Sequence, residues 1–83
     1  MDVTLKLFAT LSDYLPPDAH RNAISRRLPD GTTVRDALDS LSVPLASCHL
    51  ILINGVYTAP ARAGEKLLAE GDTVAVWPPV AGG

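Results

Sequence analysis

The chain has 83 residues, a formal net charge of -2 and a single cysteine. That length holds one domain with one small core, and its scattered Arg and Lys form no basic stripe for nucleic acid or an anionic membrane; a lone thiol excludes a disulfide framework and a thiolate zinc site. No apolar run approaches the ~20 residues that span a bilayer, and "MDVTLKLFATL" lacks a secretory pattern, so a cytoplasmic protein with a protein partner is the expectation.

The opening "DVTLKLFA" alternates Val3, Leu5 and Leu7 with Thr4, Lys6 and Phe8, the period of a strand with one apolar face. "TLSDYLPPDAH" breaks that period. Pro16-Pro17 bars a regular helix there, leaving at most a short helical turn over Leu11 to Leu15. "RNAISRRL", residues 21 to 28, fits a second strand, but period two puts Arg26 on the face of Ile24 and Leu28, which calls for a sheet edge or a bulge. After the turn at "PDGT", Val34, Ala37, Leu38 and Leu41 fall at i, i+3, i+4 and i+7. Thr33 and Asp36 have the spacing of a capping box, so the pattern predicts a helix over 33–42.

"HLILINGVYT" reads as two strands joined by Asn54-Gly55, a type I' hairpin turn in which both central residues take positive φ. The connection "APARAGEKLLAEGD" admits a helical turn at Glu65 to Leu68. "TVAVW" then alternates Val74 and Val76 against Thr73, Ala75 and Trp77, and Pro78 ends it by withholding the donor a ladder needs.

Strand, strand, helix and three strands predict an α+β fold with a mixed sheet of about five strands and one main helix on one face, an order that a ubiquitin-like β-grasp satisfies. The expected organisation is a β-grasp domain over 1–78 and an extended tail over 79–83. One helix covers one sheet face, here Val3, Leu5, Leu7, Val74 and Val76. The other face carries Phe8, Ala75 and Trp77 with either Leu50 and Leu52 or Ile51 and Ile53, according to register. Such a patch marks a partner interface, unless Trp77 folds against the 60–72 connection as ordinary core.

The body of the chain offers no active site. Cys48 and His49 are adjacent on a strand and point to opposite faces, so they do not share a proton; Cys48 reads as a packing residue at a strand entrance. His20 and His49 are too few for a metal site, and the carboxylates fall in turns or on the polar side of the helix. The tail differs. Pro78-Pro79 hold an extended stem. Residues 79 to 83 then reach roughly 16–18 Å at full extension, with almost no bulk in Val80, Ala81, Gly82 and Gly83. They would carry the Gly83 carboxylate into a narrow channel. A carboxylate is ionised at neutral pH and a poor electrophile, so it requires activation by ATP on another enzyme.

Over essentially its whole length, in "VTLKLFATLSDYL", "DGTTVRDALDSL", "LINGVY" and above all "EGDTVAVWPPVAGG", the chain resembles the MoaD/ThiS ubiquitin-like sulfur carriers. That resemblance implies a β-grasp whose Gly83 is adenylated by an activating enzyme of the ubiquitin-activating type and converted to a thiocarboxylate. It further implies that Pro79, Val80, Ala81 and Gly82 pass through the partner's channel, and that Phe8, Trp77 and Pro78 meet the partner. No bound cofactor or metal is implied; ATP is used in trans, and the sulfur comes from a donor such as a cysteine desulfurase or rhodanese. The "PPVAGG" ending looks more like the small subunit of molybdopterin synthase, whose partner is the large catalytic subunit, than like the shorter thiamine carriers. A carrier for thiamine or another sulfur metabolite, a ubiquitin-like protein modifier, and a plain interaction domain remain the alternatives.

Overall fold

A computed structural model describes residues 1–79. Strands β1 (Asp2–Leu7), β2 (Ala23–Arg27), β3 (Leu50–Ile53), β4 (Val56–Thr58) and β5 (Thr73–Trp77) form one sheet in the order β2-β1-β5-β3-β4, with helix α1 (Val34–Asp39) between β2 and β3. β1 and β5 run parallel at the centre of the sheet, and the other neighbours pair antiparallel. This mixed sheet with one α-helix is the ubiquitin-like β-grasp that the element order predicts.

The alternation in β1 and β5 decides which face the helix covers. Val3, Leu5, Leu7, Val74 and Val76 are all buried, and the α1 stripe of Val34, Ala37, Leu38 and Leu41 is buried with them in one core cluster. Both ends of α1 have their backbone groups satisfied. At the start, the Thr33 Oγ1 accepts from the Asp36 amide at 3.1 Å while the Asp36 carboxylate accepts from the Thr33 amide at 3.4 Å, the predicted capping box. At the close, Val43 N–H donates to Leu38 O and Ser42 N–H to Asp39 O, with Ser42 at φ 63°. That is a Schellman ending, so the regular helix is shorter than the predicted 33–42, because a left-handed residue at 42 turns the chain out of the helix.

Three local expectations meet particular outcomes. Arg26 lies on an edge strand in unbroken register opposite Val3, which selects the edge over the bulge. The helical turn expected at Glu65 to Leu68 is instead a 3-10 turn at Pro60–Arg62. The reason is the helix beside it: Val34 N–H donates to Lys66 O, Arg35 N–H to Ala63 O and Leu68 N–H to Thr32 O. Those bonds hold residues 66–68 extended against the start of α1 and supply partners to amides that a helix N-terminus leaves open. The remaining short turn, expected over Leu11 to Leu15, is a 3-10 helix at Ala9–Tyr14.

The hairpin fixes the last choice. Asn54 and Gly55 sit at φ 51° and 82°, the pair of positive values a type I' turn demands. With that turn in place Ile53 faces Val56 and Leu52 faces Tyr57. Ile51 and Ile53 are buried in the core, which leaves Leu50 and Leu52 on the outer face. Asn54 also ties the hairpin to β5: its Oδ1 accepts from Thr73 N–H and its Nδ2 donates to Asp72 Oδ1, both at 2.9 Å.

Candidate functional site: the strand end and the outer sheet face

β5 is held by backbone bonds up to its end, at Val76 on one side and at Trp77 on the other. Phe8 N–H donates to Val76 O at 3.1 Å from the β1 side, and His49 N–H donates to Trp77 O at 2.9 Å from the β3 side. Pro78 and Pro79 follow, and neither has an amide hydrogen with which to continue a ladder. The strand is therefore released abruptly at the C-terminal end of the parallel β1/β5 pair. Pro78 is half-buried and Pro79 exposed.

Two 3-10 turns flank that exit. Ala9–Tyr14 contributes Thr10, Leu11, Asp13 and Tyr14, and Leu45–Ser47 contributes Ala46 and Ser47, to an open groove that Pro78 and Pro79 complete. The chain enters the first turn through Ala9 at φ 53°, an unusual value for a residue with a Cβ, directly after Phe8.

Phe8 itself is still extended, with φ -115° and ψ 161°, so it continues the alternation of β1 and points outward. Because Leu7 pairs with Val76 in the parallel register, Phe8 comes beside Trp77. The two rings lie parallel within 7° with centroids 4.5 Å apart, an offset stack. Trp77 thus packs on Phe8 and stays half-buried on the outer face. Its neighbours across the sheet are Leu50 opposite Trp77, Leu52 opposite Ala75, and Tyr57 opposite Leu52. Tyr57, 58% exposed, is the member of this patch that sequence reasoning missed. The two-residue hairpin signal could have found it, since that turn sets its pairing with Leu52. The groove residues of the two 3-10 turns were missed for a different reason: no periodicity announces them.

The Cys48 thiol is buried and donates to Pro44 O at 3.5 Å, and burial pushes its pKa up, the condition of an inert packing thiol. Among the described residues no group of three or more His, Cys, Asp or Glu side chains is placed to hold a metal ion, and no helix is long and apolar enough to cross a membrane. Phe8, Trp77, Pro78 and Pro79 come together at one end of the sheet. Val80, Ala81, Gly82 and Gly83, the rest of the expected site, lie outside the described residues.

A family model described as Mut7-C ubiquitin matches residues 1–82. The chain belongs to the Mut7-C ubiquitin family. Solved structures resemble this Mut7-C ubiquitin chain over nearly all of its length. SAMP1 from Haloferax volcanii is 29% identical with a TM-score of 0.69, each chain covering 100% of the other. The HVO 2177 protein of the same organism is 31% identical with a TM-score of 0.71, the match covering 100% of this chain and 87% of that one. A putative molybdopterin converting factor, subunit 1, from Pyrococcus furiosus is 24% identical with a TM-score of 0.64, covering 95% of this chain and 98% of its own; at that identity the likeness speaks for the fold. No curated protein matches the chain.

Proposed function

We propose that this chain is a ubiquitin-like sulfur carrier whose reactive group is the carboxylate of Gly83. The observation that carries the reading is the strand end: β5 is bonded on the β1 side as far as Val76 and on the β3 side as far as Trp77, and then meets two residues that have no amide hydrogen. Such a strand end suits a following segment that works on a partner, and "VAGG" has the slimness that a narrow channel needs. Phe8, Trp77 and Pro78 form the shoulder on which the partner sits, with half-buried aromatic rings of the type that anchors interfaces.

The chemistry takes place on the partner. A Gly83 carboxylate oxygen attacks the α-phosphorus of ATP, pyrophosphate leaves, and the acyl-adenylate forms. Sulfur at the oxidation level of hydrosulfide then attacks the acyl carbon, AMP leaves with the bonding pair, and a thiocarboxylate remains. The ATP belongs to an adenylating enzyme of the ubiquitin-activating type, and the sulfur to a donor protein. In the finer reading the charged tail enters a large catalytic subunit and gives its sulfur to a pterin precursor, as the small subunit of molybdopterin synthase. The sequence resemblance of "PPVAGG" supports that step.

A second reading is favoured by one comparison. The chain is 26% identical, over 95% of its length, to a structure described as the Haloferax volcanii small archaeal modifier protein 1. A modifier would use the same adenylate but yield an amide to a lysine instead of a thiocarboxylate. Coexpression with the host's activating enzyme and a sulfur donor separates the two. The carrier leaves a chain of unchanged length with one oxygen replaced by sulfur, whereas the modifier leaves conjugates of higher mass that vanish when Gly83 is deleted. An unmodified carboxylate under both conditions, with the pathway indifferent to loss of Gly82 and Gly83, refutes both.

A further inference from the structure

The sheet has two edges, β2 and β4, and β2 is built unlike a passive one. Leu7 N–H donates to Asn22 O and Leu28 N–H to Met1 O, so the hydrogen-bonded pairs of β1 and β2 fall at 1/28, 3/26, 5/24 and 7/22. Period two then turns the backbone groups of Ala23, Ser25 and Arg27 toward the open side. Ala23 is already closed off, since it exchanges both backbone bonds with His20 at 2.9 and 3.0 Å. Among the described residues nothing bonds the backbone donors and acceptors of Ser25 and Arg27 on that side, and they lie at the spacing an added strand requires.

The charge at this edge departs from that of the whole molecule. A chain of net charge -2 places Arg21, Arg26 and Arg27 within seven residues, with no Asp or Glu between Asp18 and Asp30. Arg27 is paired with Asp2 at 3.1 Å. Arg21 and Arg26 take part in no ion pair among the described residues, and Arg26 Nε is buried with no hydrogen-bond acceptor. A buried guanidinium nitrogen without a partner is costly.

We propose that the β2 edge docks an extended acidic segment of a partner protein, which adds a sixth strand by bonding to Ser25 and Arg27 and sets a carboxylate against Arg26. In such an addition the partner residue opposite Arg26 lies on the same sheet face with its Cβ about 4.5–5.5 Å away, within reach of a bidentate guanidinium–carboxylate pair. Backbone bonds give the affinity, and the Arg26 fork selects acidic over basic segments. The rival account is that Arg26 and Arg27 only guard the edge against strand pairing.

Titrating the isotope-labelled full chain with a short peptide of alternating valine and glutamate, followed by amide chemical shifts and hydrogen exchange, decides between them. Docking predicts shifts concentrated at Ser25 to Arg27, slowed exchange at the Ser25 and Arg27 amides, and little response to the valine–lysine counterpart. Arg26→Gln should weaken binding about tenfold, the loss of one charge-assisted pair; if that variant does not fold, Arg26→Lys, which keeps the charge but not the fork, should weaken it by a smaller factor. The proposal is overturned if those amides do not respond at millimolar peptide, if the lysine peptide binds as well, if the shifts centre on Val56 to Thr58, if a single-stranded RNA oligomer outcompetes the peptide, or if neither Arg26 variant changes affinity.

Discussion

The Phe8–Trp77 stack gives a prediction whose size follows from the structure. The pair sits on the outer face and belongs to no part of the buried core cluster, so its worth lies in mutual cover. An aromatic side chain hides ~150–250 Å² when fully buried, and Trp77, roughly two-thirds covered, about 150 Å², which at ~25 cal/mol per Å² makes Trp77→Ala cost about 3–4 kcal/mol. Phe8→Ala should cost about 2 kcal/mol on the same basis. Because each single substitution already destroys the stack, the double variant should fall short of the sum by ~0.5–1.5 kcal/mol. Urea unfolding of the four proteins reads that shortfall directly, and 1 kcal/mol corresponds to roughly 4–8 °C in melting temperature for a domain of this size. Additivity within ~0.3 kcal/mol would mean that the rings do not support each other, and the idea of a pre-packed aromatic shoulder beside the tail would fail.

Other substitutions probe the frame of the fold. Asn54→Ala removes two side-chain hydrogen bonds to the 72–73 segment and a residue tolerant of positive φ, so unfolding should show a loss of about 1–3 kcal/mol. Asn54→Asp should be less stable at neutral pH than in mild acid, since it sets a second carboxylate against Asp72. Ser42→Gly, at φ 63° in the helix-ending position, should raise stability by about 0.5–1 kcal/mol in thermal unfolding. The Cys48 thiol, whose pKa burial raises, should resist thiol reagents at neutral pH until the protein unfolds. With its folded pKa above the unfolded one, its contribution to stability is complete below the ordinary thiol range and declines as pH rises toward the raised value, which alkaline unfolding of Cys48→Ala against the parent measures.

Much of this fold is legible in the sequence because side-chain periodicity and turn chemistry act locally. Val3, Leu5, Leu7, Val74 and Val76 announce the buried face, Thr33 with Asp36 announces the helix start, and Asn54-Gly55 announces the hairpin. What escapes depends on distant partners. The 65–68 segment has a composition suited to a helical turn, yet the first amides of α1 capture the carbonyls of Ala63 and Lys66 and draw it out straight. Whether Leu50 or Ile51 faces the core is a register question, settled by pairing with β5. For the candidate site, Phe8 and Trp77 follow from alternation, but their stacking needs the parallel β1/β5 register. The groove formed with Tyr14 and Ser47 needs two 3-10 turns that are far apart in the chain to meet at the strand end.

Activation at Gly83 is what makes the chain a carrier, and intact mass reads it without an assay of the pathway. After coexpression with the host's activating enzyme and a sulfur donor, the chain should gain the mass of one oxygen exchanged for one sulfur, confined on fragmentation to Gly83. A chain appended by one residue should show no such gain while keeping its melting temperature. An unmodified Gly83, or sulfur found on Cys48 instead, would contradict it.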